Sequence, residues 1–253
     1  MARYLLRLSY HGGPFRGFAP NEGVPTVGGV LRVALETILR HEVPITCAGR
    51  TDAGVHALDQ VVHFDTDAEF DFYKFRASIN GLCKPHVAVH EVREVADDFD
   101  ARFSCTGRTY RYRILQRRTP DPFRLDVTWR LVEELDVDLM NEAGRHLLGT
   151  HDFSSFCRRQ FVTVDGEELE KTRMRDLRAV DWSHADNDEV HLVISASAFC
   201  QQMVRSITGL CVDVGRGSLG LDEVPGILAA MDRRQVPRVA PPQGLFLERC
   251  TYG

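Results

Sequence analysis

The sequence predicts an α+β protein on three observations. Some segments place apolar residues at three- and four-residue steps, others alternate them every second residue, and the two kinds of segment follow one another along the chain. Residues 3–9 read as a strand, closed by His11-Gly12-Gly13-Pro14, a loop built from glycine and proline. Val27, Val30, Leu31, Ala34, Leu35, Ile38 and Leu39 describe an amphipathic helix packed on a sheet, with Thr26 placed to cap it and Pro44 stopping any continuation. Residues 43–48 are a short strand that runs into the polar loop Gly49-Arg50-Thr51-Asp52-Ala53-Gly54, and Val61-Val62-His63-Phe64 resumes strand. Phe72, Phe75, Ile79 and Leu82 mark the apolar face of a second helix, and residues 87–95 return as strand.

The second half opens on residues 108–114, whose two-residue period puts Thr109, Arg111 and Arg113 on one face and Tyr110, Tyr112 and Ile114 on the other. Leu139, Met140, Ala143 and Leu147 mark a helix, residues 175–182 and 190–196 strands, and Met203, Val204, Ile207, Cys211 and Val214 a further helix. The architecture expected is two similar α+β halves, each an antiparallel or mixed sheet with helices on one face, with an N-terminal domain over 1–105 and a C-terminal one over 106–253. Residues 116–129 and 158–171 are expected as loop insertions.

A chain of 253 residues with 43% hydrophobic and 26% charged residues can bury a substantial core. The N-terminal apolar run is broken too early for a signal-peptide core, and nowhere do about 18 apolar residues follow one another, so a cytoplasmic protein without membrane association is expected. Cys47, Cys83, Cys105, Cys157, Cys200, Cys211 and Cys250 form no C-x-x-C pair and are expected as reduced thiols. A net charge of −5 announces no nucleic-acid partner, yet arginines gather at Arg102, Arg108, Arg111, Arg113, Arg117 and Arg118 and again between Arg158 and Arg178. Such clusters suit either an RNA-facing surface or a solvated face.

The densest polar signal is the Asp52 loop, where glycines permit tight turns and close approach of a ligand. A carboxylate held there could serve as nucleophile, base or metal ligand, or could simply hydrogen-bond its own turn. Gly215-Arg216-Gly217-Ser218-Leu219-Gly220 spells a dinucleotide fingerprint but follows a helix rather than a strand, so a helix-ending turn is expected there. His146 and His151 lack HExxH or cysteine partners, so no metal site is expected.

Residues 49–57, Gly-Arg-Thr-Asp-Ala-Gly-Val-His-Ala, resemble the active-site signature of the TruA family of tRNA pseudouridine synthases. The likeness continues through Phe15-Arg16-Gly17-Phe18, Phe99-Asp100-Ala101-Arg102, Arg108-Thr109-Tyr110-Arg111-Tyr112, His151-Asp152-Phe153-Ser154, Met203-Val204-Arg205-Ser206 and Ala240-Pro241-Pro242-Gln243-Gly244-Leu245. The resemblance implies isomerisation of uridines 38, 39 and 40 in the anticodon stem-loop of tRNA, without cofactor or metal, by a homodimer. It implies Asp52 as catalytic carboxylate, Tyr110 against the target base and Arg205 paired with Asp52 across a central cleft. Further RNA contacts are expected from Arg50, Thr51, Arg108 and Arg111. The alternative reading is a tRNA-binding or tRNA-folding module without catalysis. The chain departs from the family pattern at Phe18, Asn21, Gly28 and Gln202, positions that bear on RNA contacts rather than on the chemistry.

Overall fold

The computed structural model describes residues 1–164, 166–236 and 238–253. In chain order the elements are β1 (Ala2–Tyr10), α1 (Val27–Leu39), β2 (Thr46–Cys47), β3 (His56–Thr66), α2 (Phe72–Cys83), β4 (Val87–Val95), β5 (Cys105–Gln116), β6 (Trp129–Leu131) and α3 (Val137–Arg145). There follow β7 (Gly149–Asp152), β8 (Phe161–Val164), β9 (Glu167–Glu170), β10 (Met174–Ala185), β11 (Glu189–Ala196), α4 (Met203–Gly215), α5 (Val224–Ala229) and β12 (Leu245–Tyr252). The fold class is α+β. The chain packs as two compact units, one of residues 1–107 with 246–253 and one of residues 108–245.

In the first unit the strands lie in the order β4-β1-β3-β12. β1 runs antiparallel to β3 and β4, while β12 joins β3 in parallel through Phe246 opposite His56 and Leu247 opposite Ala57. Leu5, Leu6, Leu8, Val61, Val62 and Phe64 of the sheet and Leu31 and Leu35 of α1 are all buried in the core. The Thr26 side chain accepts the Gly29 N–H as the expected cap of α1. The strand expected over 43–48 shortens to the two residues of β2. The buried stripe of α2 is Phe75, Ile79 and Cys83, with Phe72 and Leu82 45% and 51% exposed. For Phe72 the reason is Phe70, which stacks on Phe75 at 4.0 Å and leaves Phe72 to pack edge-on at the rim against Tyr4 and Phe70.

The second unit orders its strands β5-β11-β10-β7, all antiparallel, with β6 parallel to β5. Tyr110, Tyr112 and Ile114 turn to the buried face of β5 and Thr109, Arg111 and Arg113 to the half-exposed one, as the alternation predicts. α4 is apolar almost all round and is buried almost throughout, as a central helix must be. It ends at Gly215, and Gly217, at φ 74, donates its N–H to the Val214 carbonyl, so the glycine run is a helix-ending turn.

Two expectations are corrected here. Residues 158–171 are not a plain loop: β8 and β9 pair as an antiparallel hairpin, with Asp165 outside the described residues. Cys157 and Cys200 are not free thiols but a disulfide with Cα atoms 5.8 Å apart. The fold brings the segment after β7 against the approach to α4, where the Arg158 N–H also bonds the Gln201 carbonyl, and a sequence separation of 43 gives no hint of it. Cys47, Cys83, Cys105, Cys211 and Cys250 are outside any disulfide, and burial pushes the Cys211 thiol up to about 12. Among the described residues no helix is long and apolar enough to cross a membrane.

Candidate active site

The Asp52 loop is the tip of a hairpin, because β2 pairs with β3 through Thr46 opposite His63 and Cys47 opposite Val62. The Asp52 carbonyl accepts the Val55 N–H at 3.2 Å, and Gly54 takes the left-handed conformation, φ 79, that closes the turn. Asp52 is half-buried and Arg50 exposed on the same loop.

What fixes this loop is the preceding one, residues 11–25. The Phe18 N–H bonds the Thr51 carbonyl at 3.1 Å, the Gly54 N–H reaches the Phe15 carbonyl at 3.4 Å, and the Gly12 N–H bonds His56 Nδ1 at 3.1 Å. Because Nδ1 accepts, the imidazole proton of neutral His56 is assigned to Nε2. The two loops touch so closely that only glycine fits at Gly12, where a Cβ would stand 2.0 Å from the Val55 carbonyl oxygen. Gly17 has φ 102, and a Cβ there would lie 3.0 Å from the Thr51 carbonyl oxygen.

Beneath the loop, buried polar groups complete the support. The Thr51 hydroxyl is 2.8 Å from that of Tyr10, and Gln60 donates to the Gly49 carbonyl at 2.8 Å and to the Tyr10 hydroxyl at 3.3 Å. Burial raises the Tyr10 phenol well above its ordinary range against the smaller opposing effect of these two partners, so it is a neutral hydroxyl. Thr51 is 7% exposed and its side chain belongs to this scaffold. His56 stacks on Phe246 at 4.6 Å and meets His11 edge-on at 4.5 Å. Sequence reading missed Tyr10 and Gln60. A glutamine set among the apolar residues of β3 was the available signal, since a buried amide must find partners.

In the second unit, Arg108 and Tyr110 share the buried face of β5, at 8% and 7% exposure, whereas Arg111 lies on the opposite face. The Tyr110 ring meets Phe199 edge-on at 5.2 Å, and Arg108 donates to the Ser197 carbonyl at 2.8 Å. Arg205 stands on the first turn of α4, where its Nε donates to the Ala240 carbonyl at 2.7 Å and its own carbonyl accepts the Ala240 N–H at 3.0 Å. Gln202, at φ 67, starts this helix and accepts Arg233 Nη2 at 2.8 Å. Arg175 of β10 lies near Arg108, and burial together with that neighbouring charge lowers its pKa. It is a cation that sequence reading counted in a cluster without assigning a role.

A surface cavity of about 630 Å³ lies in the first unit, lined by Pro20, Asn21, Val24, Arg32, Val33 and Leu82 among others. Arg50, Thr51 and Asp52 do not line it, so it is separate from the carboxylate loop. Among the described residues no group of three or more His, Cys, Asp or Glu is placed to hold a metal ion.

Residues 143–253 match the profile of a family described as tRNA pseudouridine synthase. A tRNA pseudouridine synthase A from Myxococcus xanthus is 38% identical over 252 residues, covering 100% of this chain and 92% of that protein. The protein of the same name from Bradyrhizobium diazoefficiens is 38% identical over 253 residues and 100% of both chains. That from Azorhizobium caulinodans is 39% identical over 253 residues, covering 100% of this chain and 95% of its own.

Proposed function

The chain belongs to the tRNA pseudouridine synthase A family and isomerises uridine to pseudouridine in tRNA, and we propose that Asp52 is the carboxylate that carries the reaction at positions 38, 39 and 40 of the anticodon stem-loop. The single observation supporting Asp52 is its setting: a half-buried acid on a turn pinned by backbone bonds from the neighbouring loop. Catalysis needs a group held in place before the substrate arrives, and this turn supplies that.

The reaction breaks the C1′–N1 bond, rotates the released uracil and joins C5 to C1′. The proton lost from C5 is balanced by the one gained at N1, so no oxidant, reductant or group donor enters. An ionised Asp52 serves each of three routes: attack at C1′ of an oxocarbenium-like species, addition to C6 of the base, or removal of the C2′ proton. Arg205 is its proposed partner, because a guanidinium is always charged and grips a carboxylate with two parallel bonds. Tyr110 is proposed to stack on the everted uracil, a contact that contributes about 1–3 kcal/mol and offsets part of the unstacking cost. Arg50, Arg108 and Arg111 are proposed to meet backbone phosphates, with Thr51 holding the loop they act beside. A cytoplasmic homodimer completes the reading.

Asp52→Asn keeps the shape and removes the charge. It is expected to bind tRNA with a Kd close to wild type and to form no pseudouridine, measured as exchange of the C5 hydrogen from labelled uridine. Wild-type product formation by this variant would end the assignment. Product confined to uridines elsewhere in the tRNA would end the anticodon-stem assignment alone.

A further inference from the structure

The segment 238–244 is explained by none of the roles above, although it carries the Ala240-Pro241-Pro242-Gln243-Gly244 motif. It lies as a strap along α4 on the face made by Arg205, Gly209 and Asp213, which are four residues apart and so aligned on one side of the helix. Arg238 pairs with buried Asp213 at 3.5 Å. A Cβ at Gly209 would stand 2.4 Å from the Arg238 carbonyl oxygen, so the strap touches the helix backbone there. Ala240, fully buried, exchanges two hydrogen bonds with Arg205, one through the backbone and one through Nε.

The next carbonyl along the strap, that of Pro241, accepts the Tyr112 hydroxyl at 2.7 Å. Gly244 then closes over the same side chain, where a Cβ would come 2.7 Å from the ring. Tyr112 is wholly buried, and burial raises its phenol well above the ordinary range while the Arg205 charge opposes with the smaller effect. Its hydroxyl is therefore a neutral donor to that carbonyl. Adjacent carbonyls thus hold two side chains, Arg205 through Ala240 and Tyr112 through Pro241.

We propose that Tyr112 is a positioning residue for catalysis: by fixing the strap at Pro241 it fixes the Ala240 carbonyl, and with it the direction of the Arg205 guanidinium. The inference rests on the role proposed for Arg205. A freed strap lets Nε lose its acceptor, and a planar guanidinium misaligned by a fraction of an ångström forfeits one of its two parallel bonds.

The test compares Tyr112→Phe, Arg205→Lys and the double variant in full-length protein, reading kcat, KM for tRNA and melting temperature, with rates taken well below melting. Phenylalanine keeps the ring that Gly244 packs on and deletes only the hydroxyl, so the variant folds. Tyr112→Phe is expected to lower kcat about three- to tenfold, the share of one buried hydrogen bond, with KM unchanged. In the Arg205→Lys background the same change is expected to do nothing further, since residues that act through one another are not additive. Wild-type kcat in Tyr112→Phe, whatever its melting temperature, overturns the proposal while leaving Arg205 intact, and so does a double variant whose losses multiply. Wild-type kcat in Arg205→Lys overturns the role of Arg205 itself, and the positioning role of Tyr112 with it.

Discussion

At the scale of single residues, the Asp52 turn is held mostly by backbone that has no side chain in the way. Gly12 and Gly17 let one loop lie directly on another, and the resulting bonds from Phe18 and Gly54 tie the turn at both ends. Gly12→Ala is expected to be the more disruptive change, because a Cβ 2.0 Å from a carbonyl oxygen can be relieved only by moving backbone. A destabilisation of roughly 1–3 kcal/mol is expected from such overpacking. Urea unfolding reads the stability, and kcat falling by more than the folded fraction accounts for shows that the turn has moved with it. The Asp52 loop was legible in the sequence because a nine-residue polar signature between glycines is a local feature. Its support was not, because Tyr10, Gln60 and His56 reach the loop only after β1 and β3 have paired.

At the scale of elements, α1 and the loop before it are one device. The Thr26 side chain caps the Gly29 N–H, and the Val27 and Gly28 N–H groups bond the carbonyls of Gly17 and Phe18, so the first turn of the helix is satisfied by the loop that braces Asp52. Thr26→Ala is expected to cost about 1 kcal/mol in urea unfolding, with Thr26→Ser restoring most of it. No recovery in the serine variant would assign the loss to the missing methyl rather than to the cap. The helix and its cap could be read from the sequence, since both follow from neighbours within four positions. The apolar face of α2 could not, because Phe70 displaces Phe72 by stacking on Phe75, a competition between aromatic rings settled only on packing.

At the scale of whole units, the second is tied together by a carboxylate that no motif marks. Glu189 of β11 accepts Arg113 through both oxygens at 2.9 Å, Arg124 at 3.2 Å and His191 at 2.7 Å, which joins β5, β11 and the connection before β6. Burial alone would raise its pKa, but the bonds from Arg113, His191 and Arg124 and the charge of Arg113 outweigh it and hold the carboxyl at about 2, below its ordinary 4.5. A depressed folded-state value means that the stabilisation is fully present above pH 4.5 and is lost as pH falls from there towards 2. Glu189→Gln is expected to be less stable at neutral pH and to flatten the acid limb of stability across that window, read by thermal melts at a series of pH values. A wild-type slope in the variant would locate the acid sensitivity elsewhere.

The sequence by itself determined the family, the α+β class, most of the helices and strands, and the loop carrying Asp52, because each is written in residues close together in the chain. Only the tertiary structure decided that residues 246–253 return to pair with β3, that Cys157 meets Cys200, and that a strap from 238 to 244 holds Arg205 and Tyr112 by adjacent carbonyls. Those are contacts between segments far apart in sequence, made by backbone groups and single side chains that leave no periodic trace. Their geometry exists only once the sheets have formed and the core has closed on them.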